Sequence, residues 1–120
     1  MGDNVIKNKS FNFALRVVKL YQFLNQEKKE YVLSKQLLRS GTAIGALVRE
    51  SEQAESKLDF IHKLAIAQKE ANETDYWLEL LFQSEYLNET QFQSLKNDII
   101  EITKILASII ITTKQRIGKK

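Results

Sequence analysis

The residues able to do chemistry are few. Glu70 and Glu73 stand one helical turn apart, and His62, the sole histidine, precedes Glu70 by two turns. In a helical bundle such carboxylates suggest a dinuclear metal site, which needs Glu-x-x-His on two helices and a Glu from each of the others. Here position 73 is Glu instead of His, and the first helix, expected from about residues 8–10 to Asn25, offers no internal acid. His62 falls beside Asp59 and Lys63 on a helical wheel and reads as a solvated surface residue. A Ser or Thr nucleophile would need that same His as its base, and no glycine elbow adjoins it. Gly41-x-x-x-Gly45 lacks the Lys-Ser/Thr of a phosphate-binding loop and lies inside a helical pattern. With no cysteine there is neither a thiol nucleophile nor a thiolate metal site. The expectation is a noncatalytic protein without metal or cofactor.

Glu70 and Glu73 suit a structural role instead, pairing with Arg39 or Arg49 of the preceding helix. Charge is distributed in blocks. Residues 1–49 carry nine Lys/Arg against three Asp/Glu, residues 50–101 four against twelve, and residues 102–120 five against none. Such blocks either lie against one another across a fold or present charged faces to partners. Lys7, Lys9, Arg16, Lys19, Lys28, Lys29, Lys35, Lys114, Arg116, Lys119 and Lys120 lie in the two segments where basic residues dominate. They are the candidates for contacting the phosphates of RNA or DNA, an attraction that would weaken with salt; a solubilising surface is the plain alternative.

The elements that must position these groups are helices. Proline is absent, glycine occurs four times, and hydrophobic residues make up 43%, a globular composition with little material for irregular loops. Phe13, Val17, Leu20, Tyr21 and Leu24 stack on one face of a first helix, with Ser10 as its expected N-cap. Asn25 to Glu30 reads as a connector. A second helix runs from about Ser34 to Glu52, with an apolar line of Leu37, Ile44, Leu47 and Val48. The small residues Ser40, Gly41, Ala43, Gly45 and Ala46 between them imply close helix–helix approach, since each helical glycine costs roughly 1 kcal/mol against alanine. A third helix opens after Ser56, with Asp59 as acidic N3 partner, and runs to about Ser84. Leu58, Ile61, Ala65, Ala71, Leu78, Leu81 and Phe82 form its expected buried line. The fourth, capped by Asn88 or Thr90, spans about Gln91 to Ile117.

Four amphipathic helices with short connectors predict one all-α domain over residues 1–120, an antiparallel up-down four-helix bundle with an ordered core of about 8–117. In the fourth helix isoleucines and leucines cover roughly 240° of the surface, where docking on one core needs a stripe of little more than 100°. The surplus predicts an oligomer, with Ile100, Ile110 and Ile111 at its interface. No apolar stretch approaches the ~20 residues of a membrane span, and no signal-peptide pattern opens the chain. A soluble cytoplasmic protein is expected, its partners being copies of itself, RNA or DNA, or another protein.

One ordered set of residues is distinctive: Leu33-Ser-Lys-Gln36-Leu-Leu-Arg39-Ser-Gly-Thr-Ala-Ile44-Gly-Ala, then Glu50, Asp59-Phe60, and Ala65-x-Ala67-x-Lys69-Glu70-Ala-x-Glu73-Thr-x-x-Trp77-Leu. It closely resembles the 23S rRNA intervening-sequence (four-helix-bundle, ribosomal-protein-like) family, from about Phe11 to Lys114. The resemblance implies an antiparallel bundle assembled as a homopentamer with a central channel. It also implies similarity to the accessory protein of diversity-generating retroelements, a basic pentamer that binds nucleic acid and a reverse transcriptase. Nothing in it implies an enzyme. The family pattern has Asn where this chain has Leu47, so no polar contact is expected from that position. It has Gly where this chain has Glu85, so the third helix should end without its glycine cap.

Overall fold

The structure, a computed structural model, describes residues 2–118, with side chains from residue 5 onward. The described residues form four helices: α1 (Gly2–Gln26), α2 (Leu33–Ser51), α3 (Lys57–Gln83) and α4 (Glu89–Gly118). Cross-helix pairs fix their directions. Val17 and Ser10 of α1 meet Gly41 and Gly45 of α2 in opposite sequence order. The same reversal relates Ser40 and Glu50 to Thr74 and Lys63, and Asp75 and Phe82 to Lys96 and Phe92. Lys9 and Arg16 meet Glu101 and Asp98, so α4 returns antiparallel to α1. The result is an elongated bundle of 54 × 22 × 20 Å.

The core runs the length of the bundle through Phe13, Val17, Leu24, Leu37, Ile44, Leu64, Leu78, Ile102 and Leu106, all nearly solvent-free. The small residues of α2 work by proximity, and Gly41 does not break the helix. A Cβ on Gly41 would lie 2.8 and 2.9 Å from the two Val17 methyl carbons, and one on Gly45 would lie 3.3 Å from the Ser10 carbonyl oxygen. On the other flank of α2, the buried Ser40 and Thr74 hydroxyls share a hydrogen bond of 3.0 Å. Ser56 caps α3 by accepting from the Asp59 N–H at 3.0 Å. Asn88 and Gln91 cap α4 reciprocally, each side-chain oxygen accepting the other's backbone N–H at 2.8 and 2.9 Å.

Three local expectations are corrected, and one connector residue proves to have a structural role. Helix α1 begins at Gly2, and Ser10 is a fully buried interior residue whose hydroxyl donates to the Lys7 carbonyl. The reason is Ile6: with Ser10, Phe13 and Val17 it extends the buried stripe by further turns, and that burial outweighs a local capping preference. Leu58, in the first turn of α3, lies ahead of the core and is 70% exposed, while Leu64, Ala67 and Thr74 join the buried line. Ile110 is buried in the bundle's own core, one turn beyond Leu106. It is therefore not part of an association surface. The connector residue Glu30, finally, is buried and accepts the backbone N–H groups of Val32, Leu33 and Ser34 at 3.0, 2.7 and 2.7 Å. It satisfies donors at the start of α2 that no upstream helical turn can reach.

Candidate nucleic-acid interface

The basic residues divide into two sets. Lys7 pairs with Glu52 at 3.3 Å, Lys9 with Glu101 at 2.8 Å, and Arg16 with Asp98 at 2.6 Å while also donating to Ser94. The partners of these three come from the acidic middle of the chain, brought alongside by the antiparallel packing. Their charge is shared with the bundle's own carboxylates. Lys19, Lys28, Lys29 and Lys35 are exposed and form no ion pair among the described residues. Lys28 lies over the Phe23 ring, 6.0 Å from its centroid, and Lys29 takes the left-handed conformation (φ 55°) that turns the chain out of α1. These four lie on the half of the bundle where α1 ends and α2 begins, the end that also holds the N-terminus of α4. The same end also holds the C-termini of α1 and α3, so helix-terminal partial charges offset there and the lysines supply the positive charge. Lys114 and Arg116 are exposed near the opposite end. Lys119 and Lys120 lie outside the described residues.

The acidic pair on α3 is committed to structure. Arg39 reaches Glu70 at 3.2 Å and Glu73 at 2.5 Å, and the Trp77 indole N–H donates to the same Glu73 carboxylate at 3.0 Å. The Arg39 guanidinium, helped by the indole, holds the Glu73 carboxyl below its ordinary pKa, and the two carboxylates raise that of Arg39. Glu70 is the more deeply placed of the two acids; its Oε1 is within ion-pairing distance of Arg39 without hydrogen-bond alignment. Arg49 belongs to no such pair. Ten residues beyond Arg39 the helical rotation carries it to the α1 flank, where its guanidinium lies over Phe11 at 5.0 Å. His62 is exposed, and no group of three His, Asp or Glu side chains is placed to hold a metal among the described residues.

Apolar side chains remain on the outside. Ile100 and Ile111 of α4 are 40% and 56% exposed. A second stripe, missed in the sequence, runs along α1: Phe11, Leu15 and Val18 recur at four and three residues, and all are exposed. The spacing was legible, but the stronger Phe13–Leu24 line on the same helix drew the reading to one face only.

The family model for the 23S rRNA-intervening sequence protein matches residues 2–108. The chain belongs to that family. Among solved structures, a crystallised protein of unknown function from the S23 ribosomal protein family of Bacteroides thetaiotaomicron VPI-5482 is 62% identical. The match covers 92% of this chain and 98% of that one, with a TM-score of 0.91. No functionally curated protein matches the sequence. Two positions marked in the sequence, Leu47 and Glu85, have visible consequences in the fold. Leu47 packs half-buried against the core. Glu85 occupies the left-handed region (φ 69°) at the end of α3, where Tyr86 N–H donates to the Leu81 carbonyl and Glu85 N–H to that of Phe82. That is a Schellman closure with glutamate at the position suited to glycine.

Proposed function

We propose that the chain is a noncatalytic scaffold, assembled from several copies, that binds nucleic acid (structured RNA, with rRNA the first candidate) through its uncommitted basic residues. The observation that carries this reading is the partition of the cations. Three of them neutralise acids across helix seams, while Lys19, Lys28, Lys29 and Lys35 stay exposed and unpaired on one half of the bundle. Membership of the 23S rRNA-intervening sequence family makes rRNA the natural probe. A noncatalytic role fits the commitment of Glu70 and Glu73, the densest titratable cluster, to Arg39 and Trp77. The charge-reversed variant Lys28→Glu/Lys29→Glu/Lys35→Glu should lose affinity for a structured 23S rRNA fragment in a gel-shift titration at low salt. Unchanged binding by that variant would reject these lysines as the contact surface.

Self-association is the second half of the proposal. Ile100, Ile111 and the Phe11–Leu15–Val18 stripe are apolar surface, each about half covered already, whose remaining burial is worth about 1 kcal/mol per side chain. A head-to-tail contact between unlike faces closes into a ring or grows into a filament; a ring of five is the number the family resemblance implies. Light scattering should return a closed oligomer for the native protein and a folded, dissociated bundle for Ile111→Lys; a native monomer at micromolar concentration would reject the assembly. The same stripe on α1 is what a protein–protein adaptor would use, and such an adaptor would retain assembly while showing no affinity for RNA.

A further inference from the structure

We infer that the groove between α1 and α4, at the end of the bundle holding the 27–32 and 84–88 connectors, is a binding site for unpaired RNA nucleotides. The inference rests on the nucleic-acid reading above and adds where the strand lies and in what form it is read. Two adjoining depressions of about 510 and 380 Å³ share Phe23 and Gln91 and so form one continuous groove along the helix seam. Its lining combines the three kinds of group a nucleotide needs. Lys19 and Lys28 are exposed at its walls without ion pairs among the described residues. The rings of Phe23 and Tyr86 are half-buried against the core, which fixes their positions while leaving part of each accessible. Asn88 and Gln91 also line it, and with their amide oxygens taken by the reciprocal cap of α4 their NH₂ groups are what they have left to donate.

Charge favours an anion in this groove. Glu85 is the one carboxylate among the lining residues, set against Lys19, Lys28 and Arg16, the last neutralised by Asp98. The spacing of functions selects the form of the ligand. The Lys28 ammonium lies over the Phe23 ring, 6.0 Å from its centroid, so a base stacks there as the exposed lysine swings off the ring to the adjoining phosphate. Recessed rings cannot reach bases that are already stacked inside a duplex, whereas a splayed base from a single strand or loop can enter and stack. A duplex would touch the lysines alone.

The test is fluorescence anisotropy with a labelled, unstructured RNA of about 12 nucleotides, in parallel with a duplex of the same sequence and length. The native protein should prefer the single strand. Phe23→Leu should weaken single-strand binding by about five-fold or more, the loss of one base stack, and leave the duplex unaffected. Lys28→Glu, an exposed change that does not depend on core packing, should weaken single-strand binding and lower its salt slope by about one. Equal affinity for the two RNAs, or native-like single-strand binding by Lys28→Glu, overturns the groove while the nucleic-acid reading stands. Absence of binding to either RNA by the native protein overturns both.

Discussion

The contact between Gly41 and Val17 makes the effect of an added methyl group depend on its neighbour. Gly41→Ala removes a helical glycine and by propensity alone should stabilise by about 1 kcal/mol. The new Cβ, however, would sit 2.8 and 2.9 Å from the Val17 methyl carbons, and Val17 is fully buried. A β-branched side chain in a helix has essentially one rotamer and cannot swing aside, so α1 and α2 must part; overpacking of this kind costs about 1–3 kcal/mol. The net expectation is a destabilisation of about 1 kcal/mol. Val17→Ala alone removes the two methyl groups and should cost about 2 kcal/mol. In that background the two closest atoms are gone and only the Cβ of position 17 remains near, at 3.3 Å, so Gly41→Ala should stabilise by up to about 1 kcal/mol. The sign reversal implies a coupling of up to about 2 kcal/mol, well outside the additivity of independent sites. Urea denaturation of the four proteins of the cycle at one fixed concentration reads it out, since the proposed assembly would make stability concentration-dependent. If Gly41→Ala stabilises equally in both backgrounds, close approach is not what keeps glycine there.

Other positions make simpler predictions. Glu85→Gly should stabilise by about 1 kcal/mol, because a non-glycine residue at φ 69° carries roughly 1–2 kcal/mol of steric cost that glycine avoids, less its greater unfolded-state entropy; a lowered denaturation midpoint would contradict this. Glu30→Ala should destabilise by about 1–3 kcal/mol and speed amide exchange at Val32, Leu33 and Ser34, whose N–H groups lose their acceptor; unchanged exchange at these three would show that the carboxylate is not their partner. Glu73, its pKa held low by Arg39 and then by the Trp77 indole, adds stability that is present above the unfolded glutamate value of about 4.3 and is lost as pH falls through the lower folded value. Being more than a third exposed, the pair contributes about 1 kcal/mol or less. Trp77 is the only tryptophan, so its fluorescence should titrate with a midpoint below about 4.3 that moves up toward that value in Arg39→Gln; a native midpoint at the ordinary value would contradict the pairing.

The helices were legible because their signals are periodic and summed over many residues, whereas single-residue signals misled. Ser10 has the chemistry of a cap, yet the Ile6–Phe13 continuation of the stripe decides where α1 begins. Leu58 has the right character and spacing for the core but precedes the point where α3 meets its neighbours. Ile110 lies within a core stripe that the sequence reading drew too narrow, so only Ile100 and Ile111 of that trio remain outside. Charge blocks revealed that basic and acidic segments meet, but not which cations are consumed. That depends on the register of α1 against α4, which places Lys9 on Glu101 and Arg16 on Asp98. Glu30 gave no local sign, since its ligands are backbone donors created only when the connector folds back.

Binding of a structured 23S rRNA fragment to the native protein, followed by filter retention across a salt series, tests the central claim most directly. With Lys19, Lys28, Lys29 and Lys35 each neutralising one phosphate, the logarithm of affinity should fall against the logarithm of salt with a slope of roughly −3 per bundle. No retention at the lowest salt, or an affinity indifferent to salt, would contradict the account.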